Sequence, residues 1–198
     1  MKKSWEQIHQ ELSEPFPHED VEWKVQTVSK DKTRGLAVAY ITARAIQNRL
    51  DAAVGAQNWK PVFRQWHTVT DRDGNPIPSQ LCSIQIYDED RHEWLEKTDG
   101  AENTDYEPIK GGLSDAMKRA ASQWGIGRYL YKMETPWVDV EFFGKTAVIA
   151  KKERPGLDKI HDNFVAKLKG RSPAQSQQAP QSEEQQKNSL GCTAPGPS

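Results

Sequence analysis

The segment SDAMKRAASQWGIGRYLY, residues 114–131, decides how this chain folds. The spacing of its apolar residues predicts a helix, and Gly125 and Gly127 predict that the helix is irregular near its C-terminal end. One face of that helix is apolar and holds Leu113, Met117, Ala120, Trp124 and Tyr131. We expect this face to be buried, with Ser114 as the N-cap and Asp115 in the first turn, where the helix dipole favours a carboxylate.

The opposite face of the same helix carries two adjacent cations, Lys118 and Arg119. Asp115 precedes them by three and four residues, so ordinary surface salt bridges are one interpretation. The wider stretch from 108 to 132 favours another, because Asp115 is its only acid and its cations are Lys110, Lys118, Arg119, Arg128 and Lys132. One carboxylate does not neutralise five cations. We therefore expect some of them to contact an anion, of which a sugar-phosphate backbone is the commonest extended form.

The elements on either side predict a mixed α and β protein. Residues 4–16 are typical of a helix capped by Ser4, and residues 156–170 contain a terminal helix. The alternation in 21–28 predicts a strand with Val21, Trp23, Val25 and Thr27 on one side. Residues 41–55 have a helical apolar stripe that ends at Gly55 and consists of Ile41, Ala45, Ile46, Leu50, Ala53 and Val54.

Three successive strands are predicted between the second helix and the long one. Asp73-Gly74 separates two β-rich runs as a hairpin turn would, and a second turn lies at residues 88–93. A further strand is predicted at 137–143. The resulting fold class is α+β, with a three-stranded antiparallel meander covered by the long helix (a β-β-β-α core) and flanked by further helices and strands.

Composition separates a body, residues 1–170, from a tail, residues 171–198. The tail is rich in Ser, Gln, Pro and Gly and has no aromatic residue, so we expect it to be disordered and solubilising. Binding of a recombination or single-strand-binding protein is the alternative for the tail. The formal net charge is -1, so nucleic-acid binding requires local patches. Two distant cysteines and an N-terminus without an apolar h-region favour a reducing, cytoplasmic setting and no membrane contact.

Two segments carry a family resemblance. YITARAIQNRLDAAVGAQNW (40–59) and KGGLSDAMKRAASQWGIGRYLY (110–131) resemble the best-marked segments of Rad52-type single-strand annealing proteins, with LSEPFPHEDVEWKVQ (12–26) closest to the bacterial DdrA-like branch. The resemblance covers roughly residues 5–140. It implies a β-β-β-α core assembled into rings or curved filaments, whose basic groove holds single-stranded DNA and pairs complementary strands without ATP.

Site residues follow from the same resemblance. Lys118 and Arg119 match the basic pair that lines the family's groove, whereas Ser122 stands where some relatives have another basic residue. Arg44 stands in the earlier helix next to the position of a groove cation. Weaker candidates from the local charge and the meander complete the predicted DNA-binding set: Arg128, Lys110, Lys60 and Arg64. Arg128 has three open roles, which are snorkelling, aromatic stacking or lining a groove between subunits.

The predicted function is annealing of single-stranded DNA in recombination and double-strand break repair, in a bacterial or phage-infected cell and associated with the nucleoid. Pairing releases about 1.4 kcal/mol per base-pair step, so it needs neither a cofactor nor a catalytic site. A single copy offers few cations, so we expect a homo-oligomer. Two alternatives remain: a scaffold that protects DNA ends, and a metal-dependent nuclease using the acid-x-lysine pattern Glu22-Trp23-Lys24.

Seven tryptophans raise the question of base stacking. They are Trp5, Trp23, Trp59, Trp66, Trp94, Trp124 and Trp137. Most occupy the apolar phases of their predicted elements. We interpret them as core or subunit-interface packing in preference to stacking platforms.

Overall fold

The computed structural model describes residues 3–70, 72–103 and 108–170. The predicted tail, 171–198, lies outside the described residues, as does the side chain of Trp66. The described helices are α1 Trp5–Ser13, α2 Ala43–Val54, α3 Pro108–Gln123 and α4 Arg154–Leu168. The described strands are β1 Val21–Val28, β2 Arg34–Ile41, β3 Trp59–Thr70, β4 Pro76–Asp88, β5 Glu93–Glu102, β6 Trp137–Phe143 and β7 Thr146–Ile149.

The strands form two antiparallel sheets, which confirms the α+β class. One sheet is the predicted meander, β3-β4-β5, and the other has the order β1-β2-β6-β7. Two of these strands, β2 and β7, were not predicted. β2 has the sequence RGLAVAYI, whose small residues give neither clear alternation nor strong β-propensity. Because β2 extends to Ile41, the prediction that Ile41 belongs to the helical stripe of α2 was wrong; α2 begins after the N-cap Thr42.

Helix α3 covers the meander and supplies the centre of the core. Its inner face is buried at Ala116, Met117, Ala120, Ala121 and Trp124. Small alanines let the helix approach β4 closely, where Ile84 and Ile86 are fully buried. The indole Nε1 of Trp124 donates to the backbone oxygen of Ile84 at 3.0 Å, and the Trp124 ring stacks on Trp5 of α1 with centroids 6.3 Å apart. The β-β-β-α core is therefore present.

The predicted start of α3 was wrong. The helix begins at Pro108, six residues before the predicted N-cap Ser114, and Asp115 lies in its third turn. Gly112, which lies inside the helix, permits a close approach, because a Cβ there would lie 2.4 Å from the side-chain oxygen of Asn103. Proline at the first helical position suits the start, since its missing N–H has no partner there in any helix.

Two further residues, Thr27 and Tyr131, are exposed although the sequence placed them on the same face as buried residues. Thr27 lies on the solvent side because a β-bulge between Val25 and Thr27 reverses the alternation of β1. Tyr131 is 75% exposed. Helix α3 ends at Gln123, and Gly125 and Gly127 follow it with φ values of +94° and +67°, so the wheel of α3 does not continue to Tyr131. A Cβ added at Gly127 would clash with Ile41.

Arg128 closes the C-terminus of α3. Its Nε donates to the backbone oxygen of Ser122, and a terminal nitrogen donates to that of Gln123, both at 2.7 Å. The Ser122 oxygen also accepts from the Gly125 amide at 3.1 Å, and the Gln123 oxygen also accepts from Lys97 Nζ at 2.9 Å, so Arg128 shares the capping of α3 with these two donors. None of the three roles proposed for Arg128 included this contact.

Helix α4 is joined to the body by a short polar chain. The Phe16 amide donates to the hydroxyl of Tyr129 at 3.2 Å, and that hydroxyl lies 3.0 Å from Nε2 of His161. The single hydroxyl proton of Tyr129 completes this bond when Nε2 is unprotonated. His161 is 1% exposed, and its burial lowers its pKa. Asp162 contacts both His161 and His18.

No helix within 3–70, 72–103 and 108–170 has both the length and the apolar character needed to cross a bilayer.

We expect His161 to make the protein less stable in mild acid. Its folded pKa lies below the unfolded value of about 6.5, so its contribution is complete above that pH and declines as the pH falls toward the lowered pKa. His161→Gln keeps an acceptor for Tyr129 but does not titrate. Urea unfolding at pH 7 and pH 5 should show a smaller acid-side loss for this variant than for the unmodified chain.

The matched control is His18→Gln. Partial burial acts to lower the pKa of His18, but Asp162 outweighs it and the net shift is upward. His18 therefore stabilises the fold below about pH 6.5, so its loss should enlarge the acid-side decline. Equal pH dependence of the unmodified chain and His161→Gln would contradict the role of His161.

We also expect Arg128→Ala to lower the free energy of unfolding by about 1 kcal/mol, because two carbonyls lose a charged donor. Lys132→Ala is the control, since Lys132 is exposed and has no hydrogen bond or ion pair among the described residues. Thermal unfolding should give a lower Tm for Arg128→Ala alone. Equal Tm values would contradict the closing role of Arg128.

Candidate nucleic-acid interface

A cleft of about 820 Å³ lies between α3 and the sheet that contains β1 and β2. We call it the α3 cleft. Its walls are the outer faces of β1 and β2, the end of β5, the exposed side of α3 and the segment 126–135. The residues used below are Lys24, Val38, Tyr40, Glu102, Asp115, Lys118, Arg119, Ile126, Leu130, Tyr131, Met133 and Glu134.

The basic pair predicted from the sequence lies in this cleft. Lys118 and Arg119 leave the solvent-facing side of α3, opposite the buried Met117 and Ala120. The side chain of Arg119 is 56% exposed and that of Lys118 is 25% exposed. Both cations are therefore reachable from the cleft, because the inner face of the same helix holds them outside the core.

Each member of the pair has a carboxylate partner. Lys118 Nζ lies 3.0 Å from Asp115, and Arg119 Nε lies 3.1 Å from Asp99 on β5. The sequence indicated only the first of these, because Asp99 comes from a strand that precedes α3. Partial burial acts to raise the pKa of Asp99, but hydrogen bonds from Gly100, Gln123 and Arg119 outweigh it and keep the pKa below its usual range.

These ion pairs leave donors for a second anion. An ammonium has several N–H donors, and a guanidinium that bonds through Nε retains its terminal nitrogens. Ion pairs near the protein surface contribute only about 0–1 kcal/mol, and these two pairs are partly exposed, so breaking them for a phosphate would cost little free energy. The formal charges that line the cleft nonetheless sum to zero within one copy of the chain. The lining has three cations, which are Lys24, Lys118 and Arg119. It also has three acids, which are Glu102, Asp115 and Glu134.

Two cleft residues were missed as site residues by sequence reasoning. Tyr40 is on β2, a strand that the sequence did not reveal. The ammonium groups of Lys24 and Lys118 lie 5.6 and 5.0 Å from the centre of its ring, and its hydroxyl donates to Glu22. Burial, followed by the bond to Glu22, raises the pKa of Tyr40 to about 12. Lys24 was interpreted only as part of an acid-x-lysine pattern, although its place opposite Trp23 on an alternating strand also predicts an outward side chain.

The other predicted DNA-binding residues lie outside the lining of the cleft. Arg44 is exposed in the first turn of α2, just after β2, and Arg64 is exposed on β3. Lys60 lies 4.0 Å above the ring of Trp94, which is itself exposed. Lys110 is exposed near the start of α3. Only Lys118 and Arg119 of the predicted set are brought together in the cleft.

The tryptophan prediction holds for some positions. Trp124 is buried, and Trp5, Trp23 and Trp59 are half-buried against the core. Trp94 and Trp137 are exposed. Trp94 packs at a tilt on Tyr87, with centroids 5.2 Å apart.

The acid-x-lysine pattern has a local explanation in the cleft wall. Glu22 accepts from Tyr40, and Lys24 lies over the same ring. In the part of the chain that the structure describes, no group of three or more His, Cys, Asp or Glu side chains is arranged to hold a metal ion.

Comparison with known proteins agrees with this architecture. Residues 4–147 match the model of the Rad52/22 family double-strand break repair protein. The Single-stranded DNA-binding protein DdrA of Deinococcus radiodurans is 35% identical over 132 residues, which are 67% of this chain and 58% of that protein. The protein of the same name from Deinococcus deserti is 35% identical over 131 residues, or 66% of this chain and 60% of that protein.

The chain thus spans less than two thirds of the length of these curated relatives. The family match extends from the residue before α1 to the first two residues of β7, so it includes the meander, α3 and every wall of the α3 cleft. The end of β7, α4 and the residues after it lie beyond the match. This chain belongs to the Rad52/22 family of double-strand break repair proteins.

Proposed function

We propose that this chain binds single-stranded DNA along α3 clefts aligned in a homo-oligomer and anneals complementary strands without ATP, in recombination and double-strand break repair. The observation that carries the proposal is the adjacency of Lys118 and Arg119 on the exposed face of α3, inside a cleft that the family match covers in full. The two relatives are named single-stranded DNA-binding protein DdrA, and this name supports the same ligand.

The charge balance of the cleft supports the requirement for many copies. Within one protomer, three lining cations face three acids, so net attraction for phosphate is small. Many weak contacts along one strand become strong when the copies are connected, because each later contact is intramolecular. Side-by-side protomers bring the Lys118/Arg119 pairs into one track. A ring and a filament both satisfy this condition.

Such a track of cations neutralises the negative charge of the phosphates. Two complementary strands repel each other and fold on themselves, whereas their pairing is itself downhill. A surface that offsets phosphate charge and holds the strand open lowers both barriers. This role needs no catalytic residue or cofactor, so we propose a binding protein that is not an enzyme and that acts at the nucleoid of a bacterial or phage-infected cell.

Replacing the basic pair tests the track. Lys118→Ala with Arg119→Ala should weaken single-strand binding for every sequence, because phosphates are common to all of them. The slope of log affinity against log salt should fall by roughly 0.7 for each lost phosphate contact. Fluorescence anisotropy with a labelled oligonucleotide at several salt concentrations measures both quantities.

The matched control is Lys151→Ala with Lys152→Ala. These lysines are also adjacent and exposed, and Lys152 also has a carboxylate partner, Asp139 at 2.6 Å, but neither lines the cleft. Affinity should be unchanged in this variant. The opposite change, Asp115→Asn, should tighten binding because it frees Lys118. Equal affinity in the variants of the basic pair and of the control pair would contradict the assignment of the site.

Timed pairing separates annealing from DNA-end protection, the alternative that uses the same surface. Two complementary oligonucleotides, one carrying a fluorophore and the other a quencher, should pair faster with the protein than without it. The variant of the basic pair should lose this acceleration. Protection of the strands from an exonuclease without faster pairing would overturn annealing and favour the scaffold.

Mass measurement in solution tests the multi-copy requirement directly. We expect a species larger than one protomer, alone or with single-stranded DNA. A monomer under both conditions would contradict the aligned track.

A further inference from the structure

Tyr131 is an aromatic residue on the rim of the α3 cleft whose ring has no partner. Its 75% exposure is the highest among the exposed large hydrophobic side chains in the described part of the chain. It forms no hydrogen bond, ring stack or cation–π contact there. A single exposed ring is common on protein surfaces, so its location is what distinguishes it. It lies in the same cleft as Lys118 and Arg119.

The backbone holds this ring outward. Tyr131 lies on the short helical turn Arg128–Lys132, which follows the reversal at Gly127. Tyr129 and Met133, two residues away on either side, are buried. Tyr129 is fixed by Phe16 and His161, and Arg128 anchors the turn to the end of α3. Tyr131 therefore lies on a turn that is tied to the core by its buried neighbours and by these hydrogen bonds.

The cleft beside Tyr131 is partly apolar, which phosphate binding does not require. Val38, Ile126, Leu130 and Met133 contribute to the lining. Sites for single-stranded nucleic acid combine cations with a neighbouring apolar surface and an aromatic ring. In such sites the cations contact phosphate and the ring stacks on a base. Stacking tolerates any sequence because every base has a π-face.

We propose that Tyr131 stacks on a nucleobase of the strand whose phosphates contact Lys118 and Arg119, one such base for each protomer. This inference rests on the proposed function and adds a base contact to it. The site takes an unpaired nucleobase, since a base inside a duplex has both faces covered by its neighbours. Tyr131 thereby contributes to the preference for a single strand over a duplex, which the cations alone do not provide.

A double-mutant cycle between protein and DNA tests the contact. Affinity is measured for a thymidine oligonucleotide and for one of equal length that carries abasic sites, with the unmodified chain and with Tyr131→Ala. The unmodified chain should bind the abasic strand roughly ten-fold more weakly, or by more where several protomers engage. Tyr131→Ala should weaken binding to the intact strand by a similar factor and leave the abasic strand unaffected. Tyr131→Phe, which keeps the ring, should resemble the unmodified chain.

Phe143→Ala is the matched control, because Phe143 is also an exposed aromatic, at 66%, but lies outside the cleft lining. It should leave both affinities unchanged. An equal loss for both strands on Tyr131→Ala would overturn the base contact. A changed oligomer mass for Tyr131→Ala would also overturn it, by identifying Tyr131 as a subunit contact.

Failure of the two proposals is distinguishable. If the unmodified chain binds neither strand, the proposed function fails and takes this inference with it. If the unmodified chain binds both strands, and binding depends on Lys118 and Arg119 but equally on Tyr131 for intact and abasic DNA, only the inference fails.

Discussion

The packing of α3 on the meander is the contact on which the rest of the structure depends. The buried alanines of α3 bring its backbone close to β4, and Trp124, directly after α3, donates from its Nε1 to the backbone oxygen of Ile84 on β4. This contact determines which side of α3 faces solvent. Lys118 and Arg119 are presented together because Met117 and Ala120, their immediate neighbours, belong to the core.

The end of α3 is as important as its inner face. Gly127 reverses the chain in a left-handed conformation, and Arg128 donates to the last carbonyls of the helix. The segment that follows returns along the cleft and forms one of its walls. The same few residues thus terminate a helix, close the core through Tyr129 and expose Tyr131. A cation that sequence analysis assigned to DNA has a structural role in this turn.

The cleft is nearly neutral in one copy, and that fact changes how its cations act. Asp99 and Asp115 pair with Arg119 and Lys118 in partly exposed ion pairs, and pairs near the protein surface are generally weak. A site of this kind binds a single phosphate poorly and a long polyanion well, once copies are aligned. Under the proposed function, contacts that break at little cost allow the strand to be released after pairing.

The sequence by itself determined the elements with strong local signals: the capped helix α1, the meander with its Asp73-Gly74 turn, the amphipathic α3 and the adjacency of its two cations. Their periodicity and turn residues are properties of short stretches. Only the tertiary structure decided the features that join distant stretches. β2 is a strand because it pairs with β1 and β6. Arg119 contacts Asp99 where α3 packs on β5. Tyr131 lies outside the core because the chain turns after α3, where Gly125 and Gly127 have positive φ. A helical wheel shows neither a carboxylate that comes from a separate strand nor the turn at which the helix ends. The charge and the shape of the cleft therefore depend on tertiary packing, which the local sequence does not reveal.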